Sequence, residues 1–78
     1  MNEFIKTEKD KEIFNMALKL FAESMNMNIN DNFIGFKSMS DPNKRYCTAE
    51  KYLQMDNLEK FELCILSASE IVDFFNRV

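Results

Sequence analysis

The sequence predicts a mainly α protein, with two long amphipathic helices over about residues 8–26 and 57–77 packed against each other and a short middle element between them. Three observations carry that prediction. At 100° per residue, Leu58, Phe61, Cys64, Ile65, Ala68, Ile71, Val72 and Phe75 fall into one arc of roughly 140°, as on a helix with one core-facing side. Ile13, Phe14, Ala17, Leu18, Leu20, Phe21 and Met25 form a second contiguous arc, opposite Glu8, Glu12, Asn15, Lys19 and Glu23. The chain also holds only two Val and two Thr, thin material for a sheet.

Residues 1–6 carry Phe4 and Ile5 ahead of a polar run, and are expected to pack as an arm rather than to extend the first helix. Thr7 with Asp10 reads as a capping box, and Glu8 and Asp10 suit the positive end of the helix dipole. The arc that follows is about 160° wide, which suits a helix touching two neighbours rather than one. Asn and Asp crowd residues 26–32, where they compete with the helix for backbone hydrogen bonds, so the chain should turn there. Phe33-Ile34-Gly35-Phe36 then forms a compact apolar cluster around the only glycine.

Ser40-Asp41-Pro42-Asn43 is the clearest breaker, and two continuations compete across it. In one, the segment is a hairpin tip joining strands at about 33–38 and 45–49, an α+β alternative. In the other, Ser40 or Asp41 starts a helix with Tyr46, Ala49 and Leu53 facing inward, and the scarcity of β-branched residues favours helix from about Thr48 to Gln54. Asp56 with Glu59 is a second capping box, opening the helix that closes the chain. Arg77 stands where a cation suits a helix C-terminus.

Composition narrows the function classes. Seventy-eight residues fit one small domain, and 46% hydrophobic residues with eight Phe and six Met place the chain far from disorder. A net charge of −3 argues against nonspecific nucleic-acid binding, whose affinity comes from Lys and Arg neutralising phosphates. Apolar runs are too short to cross a membrane, and the N-terminus lacks a signal-peptide core, so a cytoplasmic location is expected. Two Cys, at positions 47 and 64, have no framework spacing; Cys64 falls in the core arc and reads as an inert thiol, with a bond to Cys47 the less favoured alternative. Eight Lys against two Arg, with nine Asn and six Ile, suggest AT-rich coding DNA, compatible with phages, plasmids and low-GC bacteria.

Chemistry is poorly provided for. Histidine is absent, which removes the commonest general base and the commonest zinc ligand, and a single Gly leaves no phosphate-cradling loop. No cofactor or metal is expected, and the chain is not expected to be an enzyme. Glu59 with Glu62 and Glu70 with Asp73 sit three apart on a helix face, but that pattern is first of all a solvated surface.

One feature of the closing helix departs from a plain amphipathic rod. Leu63, Leu66 and Phe74 lie about 90–180° from the middle of its main arc, among Glu59, Glu62, Glu70 and Asp73. Either the middle of the chain folds over them, with residues 33–36 as the candidate cover, or they form an acid-rimmed apolar seam for a second copy or another protein. On the second reading the chain is a small protein-binding regulator or inhibitor that works by occlusion. The alternative is a dimeric nucleic-acid-binding or transcriptional regulator that gathers Lys37, Lys44, Arg45 and Lys51 onto one face.

Overall fold

The structure, a computed structural model, describes residues 5–41 and 43–77. In chain order they form α1 (Glu8–Asn26), a 3-10 turn (Ile34–Phe36), α2 (Ala49–Leu53) and α3 (Asn57–Arg77). Both long helices match the spans expected from the sequence, and their caps explain where they begin. The hydroxyl of Thr7 accepts the amide of Asp10 at 3.1 Å, and the Asp10 carboxylate accepts the amide of Lys6 at 3.1 Å. At the start of α3, Asp56 accepts the amide of Glu59 at 2.9 Å while Glu59 reaches back to the amide of Asp56 at 3.3 Å, a reciprocal capping box.

α3 runs antiparallel to α1. Lys9, early in α1, meets Asp73, late in α3, at 2.6 Å, and Phe21, late in α1, lies 5.9 Å from Phe61, early in α3, with the rings edge to face. Between them the core is built from Ile13, Ala17 and Leu20 against Cys64, Ala68, Ile71 and Val72. Ala17 and Ala68 are both wholly buried, and their small side chains let the two backbones approach closely.

The middle of the chain lies on α3 and closes one end of the helix pair. Asn30 turns the backbone, its side-chain oxygen accepting the amide of Asn32 at 2.8 Å and its carbonyl the amide of Phe33 at 3.0 Å. The 3-10 turn then drops Phe36 into the core, fully buried and 5.0 Å from the ring of Tyr52. Gly35 is required there by space rather than by backbone angle: a Cβ at this position would lie 2.6 Å from Cε2 of Phe33, whose own ring is buried.

α2 has one turn and a half and is held at its start by two acceptors. Thr48 Oγ1 accepts the amide of Lys51 at 3.2 Å, and Asp31, eighteen residues upstream, accepts the amide of Ala49 at 2.7 Å. Its buried residue is Tyr52, 1% exposed, and the expectation of an inward Leu53 is corrected, since Leu53 is 61% exposed. Tyr46 and Ala49 are partly buried against the core, but the helix starts at Ala49 with Thr48 as its cap rather than at Ser40 or Asp41, so Tyr46 precedes it.

The α+β alternative is not seen. No strand forms among the described residues; residues 33–38 and 45–49 meet in a single antiparallel bridge, Lys37 with Arg45. Ser38 donates to the Lys44 carbonyl at 3.2 Å and Tyr46 to the Phe36 carbonyl at 2.7 Å, and pairing stops there. On one side the amides of Phe36 and Lys37 are already committed to the 3-10 turn; on the other, Thr48 becomes the cap of α2. A ladder has no room to grow.

The arcs read from the sequence also need trimming at their ends. Leu58 and Phe75, assigned to the core side of α3, are 69% and 60% exposed, and Leu18 and Met25 of α1 are exposed too. Burial on α3 is instead centred between α1 on one flank and the middle segment on the other, which is why Ser67 is wholly buried there. Cys47 and Cys64 are both buried free thiols rather than a disulfide. Of the N-terminal arm, Phe4 lies outside the described residues and Ile5 is partly buried.

Candidate functional site

The residues expected to form an acid-rimmed seam have different surroundings. Leu63 packs against the core and Phe74 is half-buried, its ring 5.6 Å from Phe75 and edge-on to it. Leu66 remains 51% exposed, so residues 33–36 do not cover it. Of the acids, Glu59 caps α3, Asp73 pairs with Lys9, and Glu62 is exposed. Of the seven, Glu59, Glu62 and Leu66 stay exposed, and Leu63, Glu70, Asp73 and Phe74 are partly buried.

Glu70 has the most developed surroundings. One carboxylate oxygen accepts the hydroxyl of Ser38, the hydroxyl of Ser40 at 2.9 Å and the amide of Ser40 at 3.1 Å; the other accepts the phenol of Tyr46. The Ser38 hydroxyl above all, with the Ser40 donors, holds the carboxyl down at about 2 against the usual 4.5. Four donors from one loop on one acceptor make Glu70 the clasp that fastens residues 38–46 to α3. It is the physical reason the middle segment covers the Leu63 and Phe74 side of that helix.

A second polar group is sealed in the core. Tyr52 Oη lies 2.7 Å from Ser24 Oγ and 3.9 Å from Cys64 Sγ, and the Ser24 hydroxyl is also 2.8 Å from the carbonyl of Phe21. Burial pushes the Tyr52 phenol up to about 12 and raises the Cys64 thiol; Cys47 is raised as well, burial outweighing nearby Lys51. Raised thiols are protonated thiols, the opposite of an activated nucleophile. Among the described residues no three His, Cys, Asp or Glu side chains are grouped to hold a metal ion.

The surface that does gather apolar groups lies elsewhere, on the side of the helix pair marked by Phe61. Its ring contacts Phe14 at 5.7 Å and Phe21 at 5.9 Å, both edge to face, so these three residues lie on one side of the pair. Leu18 and Met25 share the α1 stripe with Phe21, and Leu58 and Ile65 share the α3 stripe with Phe61, at the three- and four-residue spacings that keep side chains neighbours. Leu18, Met25 and Leu58 are 45%, 54% and 69% exposed; Phe21, Phe61 and Ile65 are half-buried beneath them. Sequence reasoning placed every one of these residues in a core arc. The signal of an outer role was the width of the α1 arc, which asked for two neighbours where the structure supplies one long helix.

Two other surfaces lie elsewhere on the molecule. A groove of about 350 Å³ between the first half of α1 and the end of α3 is lined by Met16, Ile71, Val72 and Phe75 with polar residues at its rim. The cations of the nucleic-acid alternative do share the middle segment, with Lys37 and Arg45 bridged. Arg45, however, faces Asp31 at 3.9 Å and Lys44 lies over the Tyr46 ring at 6.0 Å. No helix among the described residues is long and apolar enough to cross a membrane.

A scan of protein-family models and searches of curated proteins and of solved structures gave no match to this chain.

Proposed function

We propose that this chain is a small protein-binding regulator that acts by covering a partner's surface, without chemistry of its own. The observation that carries the reading is the apolar side of the α1–α3 pair, with Leu18, Met25 and Leu58 exposed beside a half-buried layer of Phe21, Phe61 and Ile65. Large side chains exposed together over a rigid base resemble the desolvated centre of a protein interface more than an ordinary helix surface. The docking surface is thus moved from Leu63, Leu66 and Phe74 to the opposite flank of α3. Helix-to-helix packing fixes its shape in advance, so little ordering is needed on binding.

The test is affinity capture with tagged wild-type chain beside a Leu18→Lys, Leu58→Lys variant. Both residues are exposed, so the variant should keep the circular dichroism spectrum and melting temperature of the wild type. Bound protein should be lost from the variant alone. Capture of the same proteins by both baits would exclude this surface as the docking site.

A further inference from the structure

We propose that residues 37–47 form a strap that lifts from α3 as a unit while the helix pair stays closed, with the Glu70 carboxylate as its latch. Lifting uncovers the side of α3 that carries Leu63, two turns before the latch, and Phe74, one turn after it. The inference is independent of the docking reading, which concerns the opposite flank of that helix.

The strap leaves and returns to one anchored place. Phe36 before it and Tyr52 beyond it are both fully buried, with their rings 5.0 Å apart. Tyr52 is tied further by Ser24, 2.7 Å from its hydroxyl, and α2 is held at its start by Asp31 on the amide of Ala49 at 2.7 Å. The Tyr46 amide, 2.7 Å from the Phe36 carbonyl, fastens the returning side of the strap to its own anchor. A loop whose ends are fixed close together changes its path between them without moving either end.

Between the anchors little but the latch holds it down. Of its described residues only Ser38 and Cys47 are buried, neither of them a large apolar group. Among the described residues, every hydrogen bond from the strap to α3 ends on Glu70, from the hydroxyls of Ser38, Ser40 and Tyr46 and the amide of Ser40. Arg45 faces Asp31 at 3.9 Å, but both are about half exposed, so that contact holds little. Other bonds run within the strap and travel with it: the Ser38 amide to the Lys44 carbonyl at 3.2 Å, the Lys44 amide to the Asp41 carbonyl at 3.0 Å, and the Asp41 amide to the Ser38 hydroxyl at 3.1 Å. A segment with few buried apolar contacts opens at lower cost than the helix pair that carries the core. Because its donors share one carboxylate, they are released together.

The two free thiols provide the test. Cys47 lies in the strap, whereas Cys64 lies on α3 beside the anchor, 3.9 Å from the Tyr52 hydroxyl, and both are buried. Initial rates of modification by methyl methanethiosulfonate are measured on the whole chain, each divided by the rate of the same thiol in the urea-unfolded chain. On that scale Cys47 should react about tenfold or more faster than Cys64. Its rate should rise only slightly in dilute urea, because lifting exposes little surface, while Cys64 follows the full slope of unfolding. Glu70→Ala should speed Cys47 about tenfold or more with the slope still shallow. Tyr46→Phe, which removes one donor and keeps the ring, should speed it several-fold and decides the matter should Glu70→Ala fail to fold. Cys47 and Cys64 reacting together along the full urea slope would show that the strap opens only with the whole fold. A Cys47 rate unmoved by the variants that fold would show that Glu70 is not its latch, and either result overturns the proposal.

Discussion

The buried hydroxyls of Ser67, Tyr52 and Ser24 meet different fates, and the difference sets what their removal does. Ser67 is wholly buried and its oxygen has no hydrogen-bond partner among the described residues, so the folded state carries a desolvation penalty with nothing against it. Tyr52 and Ser24 are bonded to each other, but unequally supported: Ser24 keeps the Phe21 carbonyl if the phenol is removed, whereas Tyr52 keeps only a 3.9 Å contact with a thiol if the serine is removed. Ser67→Ala should therefore stabilise the fold by about 1–2 kcal/mol, combining the lost penalty with the better helix propensity of alanine. Tyr52→Phe should cost about 1 kcal/mol, and Ser24→Ala more, about 2 kcal/mol, because it strands a buried phenol. Urea denaturation orders the four proteins; Ser24→Ala at or above Tyr52→Phe would show that the phenol finds another acceptor.

Elements here are delimited by side chains that reach backbone amides, and that is why the long helices were legible from sequence and the middle was not. Thr7 with Asp10 and Asp56 with Glu59 are local pairs three residues apart, visible as spacing before any fold is known. α2 depends on Asp31, whose carboxylate crosses eighteen residues of chain to cap Ala49 and also faces Arg45. No local pattern announces such a contact. The same holds for Glu70, which sequence spacing offered as part of a solvated acidic face and which the fold turns into the clasp of the 38–46 loop. Asp31→Ala should leave the helical signal of α1 and α3 nearly whole while lowering stability by about 1–2 kcal/mol, the usual effect of losing a helix cap. Hydrogen exchange should place the loss at Ala49 and Lys51; an even loss of protection over all helices would mean that α2 does not open by itself.

At the scale of the molecule, the candidate surface was hidden from sequence by its own success as a pattern: Leu18, Met25 and Leu58 fit their helical arcs, and only the pairing of helices decides which edge of an arc is left outside. The same assembly creates two titrating groups far from their ordinary values, and together they bound the pH range of the fold. Glu70 is lowered to about 2 from 4.5, so the folded state favours its charged form; that contribution is complete above pH 4.5 and is lost as pH falls towards 2. Tyr52 is raised to about 12 from 10, so the folded state favours the neutral phenol; its contribution is complete below pH 10 and is lost as pH climbs towards 12. Cys47 and Cys64, raised above 9 by burial, start the alkaline decline slightly earlier. These four groups thus predict a plateau of stability from about pH 5 to 9 with a limb at each side. Urea midpoints measured from pH 2 to 11 should trace it. Glu70→Ala should lower the plateau and flatten the acid limb while leaving the alkaline one, because the lowered carboxyl of Glu70 is gone; Tyr52→Phe should do the converse. An acid limb of full depth in Glu70→Ala would place the acid-sensitive contact elsewhere and leave the 38–46 loop fastened by Phe36 packing alone.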